Sequence, residues 1–200
     1  MPGFALIDQV KCALEDWNET TSDLDLMNGE EFPAGRPLKS ASVLIPIVAR
    51  DDSANVILTR RTATVRHHAG QISFPGGRKE DHDRGPAATA LREAQEEIGL
   101  DPRNVEILGQ GPVHETATGF LITPVVGCVA SDFTPVLQIE EVAEVFEVPL
   151  NYLADLSSYR IESLEWRSAR RYFYVIDYGS YRIWGATARI LFGLAERLKT

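Results

Sequence analysis

Glu93, Glu96 and Glu97 stand at i, i+3 and i+4 in one short stretch of the chain. Each residue of a helix advances about 100°, so all three carboxylates would share one side, within about 100° of one another. With Leu91 as origin, Ala87, Ala94 and Ile98 fall within about 60° of it, which predicts a core face opposite the glutamates. Like charges at these spacings repel by about a few tenths of a kcal/mol per pair in water. A solvated acidic face is one reading, and Arg92 is placed to pair with Glu96 four residues on. The other reading comes from Phe74-Pro75-Gly76-Gly77, just upstream. A strand that ends in a glycine turn lets bare backbone groups approach a ligand closely. Hard carboxylate oxygens beside such a turn suit Mg²⁺ or Mn²⁺.

The elements that must hold these groups follow from periodicity. Pro86 to Ile98 is predicted as a helix, with Pro86 suited to its first position and Gly99 to its stop. Before it, Ser42–Ala49 and Asn55–Arg60 read as two strands joined by a turn, and Gln71–Phe74 as a short third. After it, Val105–Leu108, Leu121–Val129 and Glu144–Val148 read as strands. Arg171–Ile176 and Tyr181–Trp184 form a predicted hairpin, and Ala186–Leu198 a closing helix. At the other end, Phe4 to Trp17 has an apolar helical stripe that packs on the body of the domain or on a partner subunit, so a homodimer is one arrangement that covers it. Thr20 to Lys39 reads as a connecting loop. Many strands with few interspersed helices make the class α/β or α+β around a mixed sheet.

Composition limits the partners. The chain has 200 residues, 44% hydrophobic and 24% charged, with a net charge of −9. Such acidity excludes a broad nucleic-acid or anionic-lipid surface, though not a small basic pocket. The two cysteines, Cys12 and Cys128, are far apart and support neither a disulfide framework nor a zinc site. Charges interrupt the N-terminal segment, and the longest apolar runs are too short to span a bilayer as helices, so a cytoplasmic location is expected. His67, His68, His82 and His114 lack metal-binding spacing and are expected on the surface or in loops. No P-loop or nucleophile-elbow pattern is present.

Gly77 followed by Arg92-Glu93-Ala94-Gln95-Glu96-Glu97-Ile98-Gly99-Leu100 resembles the Nudix box, GX5EX7REUXEEXGU with U aliphatic. Arg92 lies 15 residues after Gly77, one more than the pattern, so its loop acid falls on Asp83 counted forward or on Arg84 counted back. Upstream, Ile57-Leu58-Thr59-Arg60-Arg61-Thr62, Arg66, Gly70 and Phe74-Pro75-Gly76-Gly77 resemble the LLTXR(S/A)X3RX3GX3FPGG signature of the coenzyme A pyrophosphatase branch of that family. Only Ile57 and Thr62 depart from it.

The resemblance implies a Nudix fold, an α/β/α sandwich around a mixed β-sheet, formed by residues 41–200 with residues 1–40 packed on it. It implies metal-dependent hydrolysis of coenzyme A or its derivatives to 3′,5′-ADP and 4′-phosphopantetheine, or the acylated form of the latter. Glu93, Glu96 and Glu97 would hold Mg²⁺ or Mn²⁺ with the Gly76 carbonyl. A further carboxylate would come from the loop before the Glu144–Val148 strand, Glu141 ahead of Glu140. Arg61 and Arg66 would contact substrate phosphates through planar guanidinium forks, Arg66 being the candidate for the 3′-phosphate. Gly70, Phe74 and Gly77 complete the substrate-binding set. The general base is open between Glu97, Glu141 and another acid. Two rivals stay open: a Nudix pyrophosphatase for ADP-ribose, a dinucleotide or a damaged nucleotide, and a non-catalytic nucleotide-binding module.

Overall fold

The computed structural model describes residues 2–27, 30–50, 53–63, 70–166 and 169–199. In chain order it contains α1 (Pro2–Leu14), β1 (Thr21–Ser22), β2 (Lys39–Arg50), β3 (Ser53–Arg61), β4 (Ile72–Ser73), β5 (Gly76–Arg78) and α2 (Pro86–Ile98). There follow β6 (Val105–Gln110), β7 (His114–Glu115), β8 (Phe120–Val129), β9 (Val142–Pro149) and α3 (Leu150–Ala154). The chain closes with β10 (Tyr159–Trp166), β11 (Ala169–Tyr178), β12 (Tyr181–Trp184) and α4 (Ala186–Leu198).

Strands β1 to β9 form one mixed sheet with β2 at its centre. Strand β2 runs parallel to β8, from Lys39 opposite Phe120 to Val48 opposite Val129, and antiparallel to β3 and β5. The central strands are apolar on both faces, as strands covered on both sides must be. Leu44, Val48, Ile57, Val125 and Val129 pack under α2, against Ala90, Ala94 and Ile98. Ile45, Ile47, Val56, Leu58 and Val126 face the other way, onto α1, α3 and α4 through Ile7, Val10, Leu153 and Leu191. Alternation along β2 and β3 therefore builds two cores with one sheet between them, an α+β sandwich. Strands β10 to β12 form a second, three-stranded antiparallel sheet.

Several sequence-based expectations need correction. Helix α1 ends at Leu14, before Trp17, whose ring instead lies against Gly111 and Gly193. The 20–39 segment is more than a connecting loop: Thr21 and Ser22 pair with His114 and Glu115, and Leu24 and Met27 are buried. His114 is not on the surface. It is fully buried, with Nδ1 2.9 Å from Thr21 Oγ1 and Nε2 3.0 Å from Asp23 Oδ1, and so ties β7 to that segment. His67 and His68 lie outside the described residues. The predicted final hairpin is the outer half of a sheet whose third strand, β10, breaks apolar alternation with Ser163 and Glu165 and so gave no strand signal.

Candidate active site

Helix α2 starts without a side-chain cap on Gly85, and its first turn is held by a different device. Asp83, just before the helix, is buried and accepts hydrogen bonds from Thr89 Oγ1 at 3.0 Å and from Glu80 N–H at 2.9 Å. Arg92 grips the same carboxylate with Nε at 3.2 Å and Nη2 at 3.1 Å. The Arg92 guanidinium beside it holds the Asp83 carboxyl far below the usual carboxylate range, against the opposing effect of burial. Asp83, not Arg84, is thus the acid that closes the longer loop. From this anchor Arg92 reaches Glu93 at 2.9 Å and Glu96 at 3.1 Å.

The far end of α2 is built against the next loop. Gly99 adopts φ +69, and a Cβ there would meet Val136 Cβ at 2.9 Å, so only glycine fits. Val136 N–H bonds Ile98 C=O at 2.9 Å and Gln138 N–H bonds Glu97 C=O at 2.9 Å, satisfying two carbonyls that the helix leaves open. This docking delivers Glu141 to the site. Arg61 joins the two elements: its Nη1 lies 3.4 Å from Glu97 Oε1 and its Nη2 3.6 Å from Glu141 Oε2. A register shift in the β3–β9 ladder falls between Arg60 and Arg61, and such bulges re-aim side chains beside functional sites. Arg60 turns instead to Glu144, 2.7 Å away.

Glu97 differs from its neighbours. The core face is rotated from its expected centre: Ala90, Ala94 and Ile98 are fully buried, Leu91 is only half-buried, and Glu97 is 4% exposed. One Glu97 oxygen accepts the Gly76 N–H at 3.2 Å. Burial pushes the Glu97 carboxyl up to about 7, with Arg61 and the Gly76 N–H opposing the shift and Glu93 and Glu141 adding to it. Burial also raises Glu93, against the pull of Arg92. Glu96 is exposed. Acids in a last helical turn oppose the helix dipole, so stability of the helix does not account for Glu96 and Glu97.

Gly76 and Gly77, expected as a turn, instead lie in strand β5 against β2, and both are sterically committed. A Cβ at Gly77 would lie 2.5 Å from the Glu93 carboxylate, and one at Gly76 2.5 Å from Ser42 O. Glu93, Glu97, Glu141, Gly76, Gly77 and Arg61 are therefore gathered in one place, with Glu96 at its exposed edge. Phe74 is buried in the core and also lines the adjoining cavity. Gly70 is an exposed turn at φ +72 whose N–H bonds Arg61 C=O at 3.2 Å; it supports Arg61 but does not line the cavity. Arg66 lies outside the described residues. The cavity measures about 660 Å³, within the range of small-molecule sites. It runs from Arg61, Gly76 and Gly77 to Phe173, Trp184 and the start of α4.

All the clustered donors are hard oxygens, which fits Mg²⁺ or Mn²⁺ rather than a thiophilic ion. Among the described residues, as placed, no three acidic, histidine or cysteine side chains close around a single point. Glu93 and Glu96 are drawn to Arg92, and Glu97 to Arg61 and Gly76 N–H. Asp83 and Thr89 were the contributors hardest to read from sequence. Counting the loop left Asp83 as one of two choices, and Thr89 carried no signal.

The family profile of the NUDIX domain matches residues 38–172, which include the whole cluster. The chain belongs to the Nudix family. A Nudix hydrolase called NudL from Pectobacterium atrosepticum, described as uncharacterized, is 41% identical over 169 residues, 83% of this chain and 88% of that protein. A NudL of the same description from Photorhabdus laumondii is 39% identical, over 80% of this chain and 86% of its own. Among solved structures, a Nudix hydrolase from M. smegmatis, RenU, is 24% identical, with a TM-score of 0.48 and coverage of 64% of this chain and 80% of that one. Family membership makes this chain a Nudix hydrolase, of a class that acts on nucleoside diphosphate derivatives and generally uses divalent ions such as Mg²⁺ or Mn²⁺. No described helix is long and apolar enough to cross a membrane.

Proposed function

We propose that this Nudix hydrolase cleaves the pyrophosphate of coenzyme A and its derivatives, in the cytoplasm, releasing 3′,5′-ADP and 4′-phosphopantetheine or its acylated form. The observation that carries the reading is Arg61. It belongs to the sequence signature of the coenzyme A branch, it pairs with Glu97 and Glu141, and it lines the 660 Å³ cavity. A residue outside the Nudix box is thereby coupled to the helix carboxylates.

Glu93, Glu96, Glu97 and Glu141, with the Gly76 carbonyl, would hold Mg²⁺ or Mn²⁺. When bound, such an ion offsets charge on the pyrophosphate oxygens and acidifies water. The chain's own groups do the rest. Arg92, anchored on Asp83, holds Glu93 and Glu96 in place. Arg61, with Arg66 beside it in the signature, offers a guanidinium fork to the phosphates. Glu97, Glu141 or another acid accepts the proton of the attacking water. Gly76 and Gly77 let the backbone approach the reacting group.

The test is a panel of coenzyme A, ADP-ribose, NADH and dNTPs with Mg²⁺, the products being identified by mass spectrometry. Coenzyme A should be cleaved with the highest kcat/KM. Preferential cleavage of another member transfers the substrate assignment to that compound. Tight nucleotide binding without turnover of any member makes the chain a binding module.

A further inference from the structure

Two arginines on elements that carry none of the glutamates line another part of the same cavity, Arg171 on β11 and Arg189 on α4. Each is braced by one carboxylate. Arg171 Nη1 lies 2.8 Å from Glu30 Oε2, and Arg189 Nε lies 2.7 Å from Asp25 Oδ2. A guanidinium has five N–H donors, so both keep most of theirs unengaged. The Nε of Arg171 and the Nη1 of Arg189 are buried with no hydrogen-bond partner among the described residues. Those two atoms are closed to solvent, so it is the other unengaged donors of each guanidinium that can meet a ligand in the cavity. Arg189 is held further by the Tyr174 ring, 5.9 Å from its guanidinium carbon.

In an acidic chain of net charge −9, four arginines, Arg61, Arg78, Arg171 and Arg189, converge on the wall of this one cavity. Because Arg61 and the Arg171–Arg189 pair share one cavity, one ligand can reach both.

We propose that Arg171 and Arg189 form a second anion subsite, which binds a phosphomonoester on the half of the substrate that does not react. The inference rests on the pyrophosphatase reading, since it takes the first anion to be the pyrophosphate at the glutamates. Coenzyme A has the required chemistry in its 3′-phosphate; 3′-dephospho-coenzyme A and ADP-ribose lack it. The subsite therefore acts as a discriminator between substrates, with braced forks that favour a tetrahedral dianion.

Calorimetric binding of adenosine 3′,5′-bisphosphate and of AMP, without metal or turnover, tests it. A charge-assisted contact of this type corresponds to about a ten- to hundredfold preference for the bisphosphate. Arg171→Gln should reduce that ratio towards unity. Arg189→Lys, which keeps the charge but loses the fork, should reduce it in part, with both variants melting near the parent temperature. Equal binding of the two nucleotides by the parent, or an undiminished ratio in folded Arg171→Gln, overturns the proposal. Inorganic phosphate separates the sources: it should compete with the bisphosphate and leave hydrolysis of 3′-dephospho-coenzyme A unchanged. An Arg171-dependent change in that hydrolysis would make free phosphate the ligand and overturn the substrate role. Failure to hydrolyse coenzyme A, with the nucleotide preference intact, refutes the coenzyme A assignment and leaves the subsite standing.

Discussion

Glu97 combines functional need with structural cost. Its folded carboxyl titrates near 7 and its ordinary value is 4.5. Between those values the folded chain binds the proton that the unfolded chain has released. The contribution of Glu97 to stability is therefore greatest below about pH 4.5 and is lost as pH rises through about 7. In EDTA, the melting temperature of Glu97→Gln relative to wild type should rise between about pH 5 and about pH 8; a difference that is flat or falls with pH contradicts the buried carboxylate. Under the proposed metal assignment the same substitution removes an anionic ligand and should lower kcat by at least about a hundredfold. Glu96→Gln should lower kcat similarly on the same assignment. The three glutamates and Arg61 were legible in the sequence because motif spacing records geometry directly. The burial of Glu97 was not. An idealised helical wheel centred on Leu91 found Ala94 and Ile98 but misplaced the centre of the buried face, and only packing against Leu44 and Ile57 settles that phase.

Within α2, core and brace can be separated. Ile98 is fully buried and Leu91 only half-buried. Ile98→Ala should cost about 2–5 kcal/mol through the cavity it leaves, and Leu91→Ala clearly less. Chemical denaturation of the two variants checks the order, and equal losses would restore the helix phase centred on Leu91. Asp83→Asn uncouples the brace and leaves Arg92 without its buried partner, at a cost of about 3 kcal/mol. It should also lower kcat by freeing Glu93 and Glu96, and Arg92→Lys should reproduce the kinetic loss with less unfolding because a charge remains. An Asp83→Asn protein with unaltered melting and turnover would remove Asp83 from the site. The limits of α2 were readable from Pro86 and Gly99, because caps and stops are local. Strands β1, β5 and β7 are two or three residues long and exist only through distant partners, so no local pattern could show them.

Over the whole molecule, one sheet holds the clustered carboxylates and the cavity wall on separate elements. Helix α2 and the loop before β9 present the carboxylates, and β3 presents Arg61 between them. The second sheet and α4 supply one further part of the cavity wall, beside the segments 22–26 and 116–122. Of that wall, Trp184 and the α4 boundary could be located from sequence, whereas Arg171 and Arg189 carried no spacing that marked them. The two are 18 positions apart on a strand and a helix, and only the tertiary fold brings them to one cavity. The most direct test of the central claim is steady-state turnover of coenzyme A by wild type and Glu97→Gln, with Mg²⁺ or Mn²⁺ and with EDTA, products being identified by mass. The expected result is 3′,5′-ADP and 4′-phosphopantetheine from wild type with metal, and almost none in EDTA or from Glu97→Gln. Undiminished turnover in EDTA or in Glu97→Gln, or metal-dependent turnover confined to a different nucleoside diphosphate derivative, would contradict it.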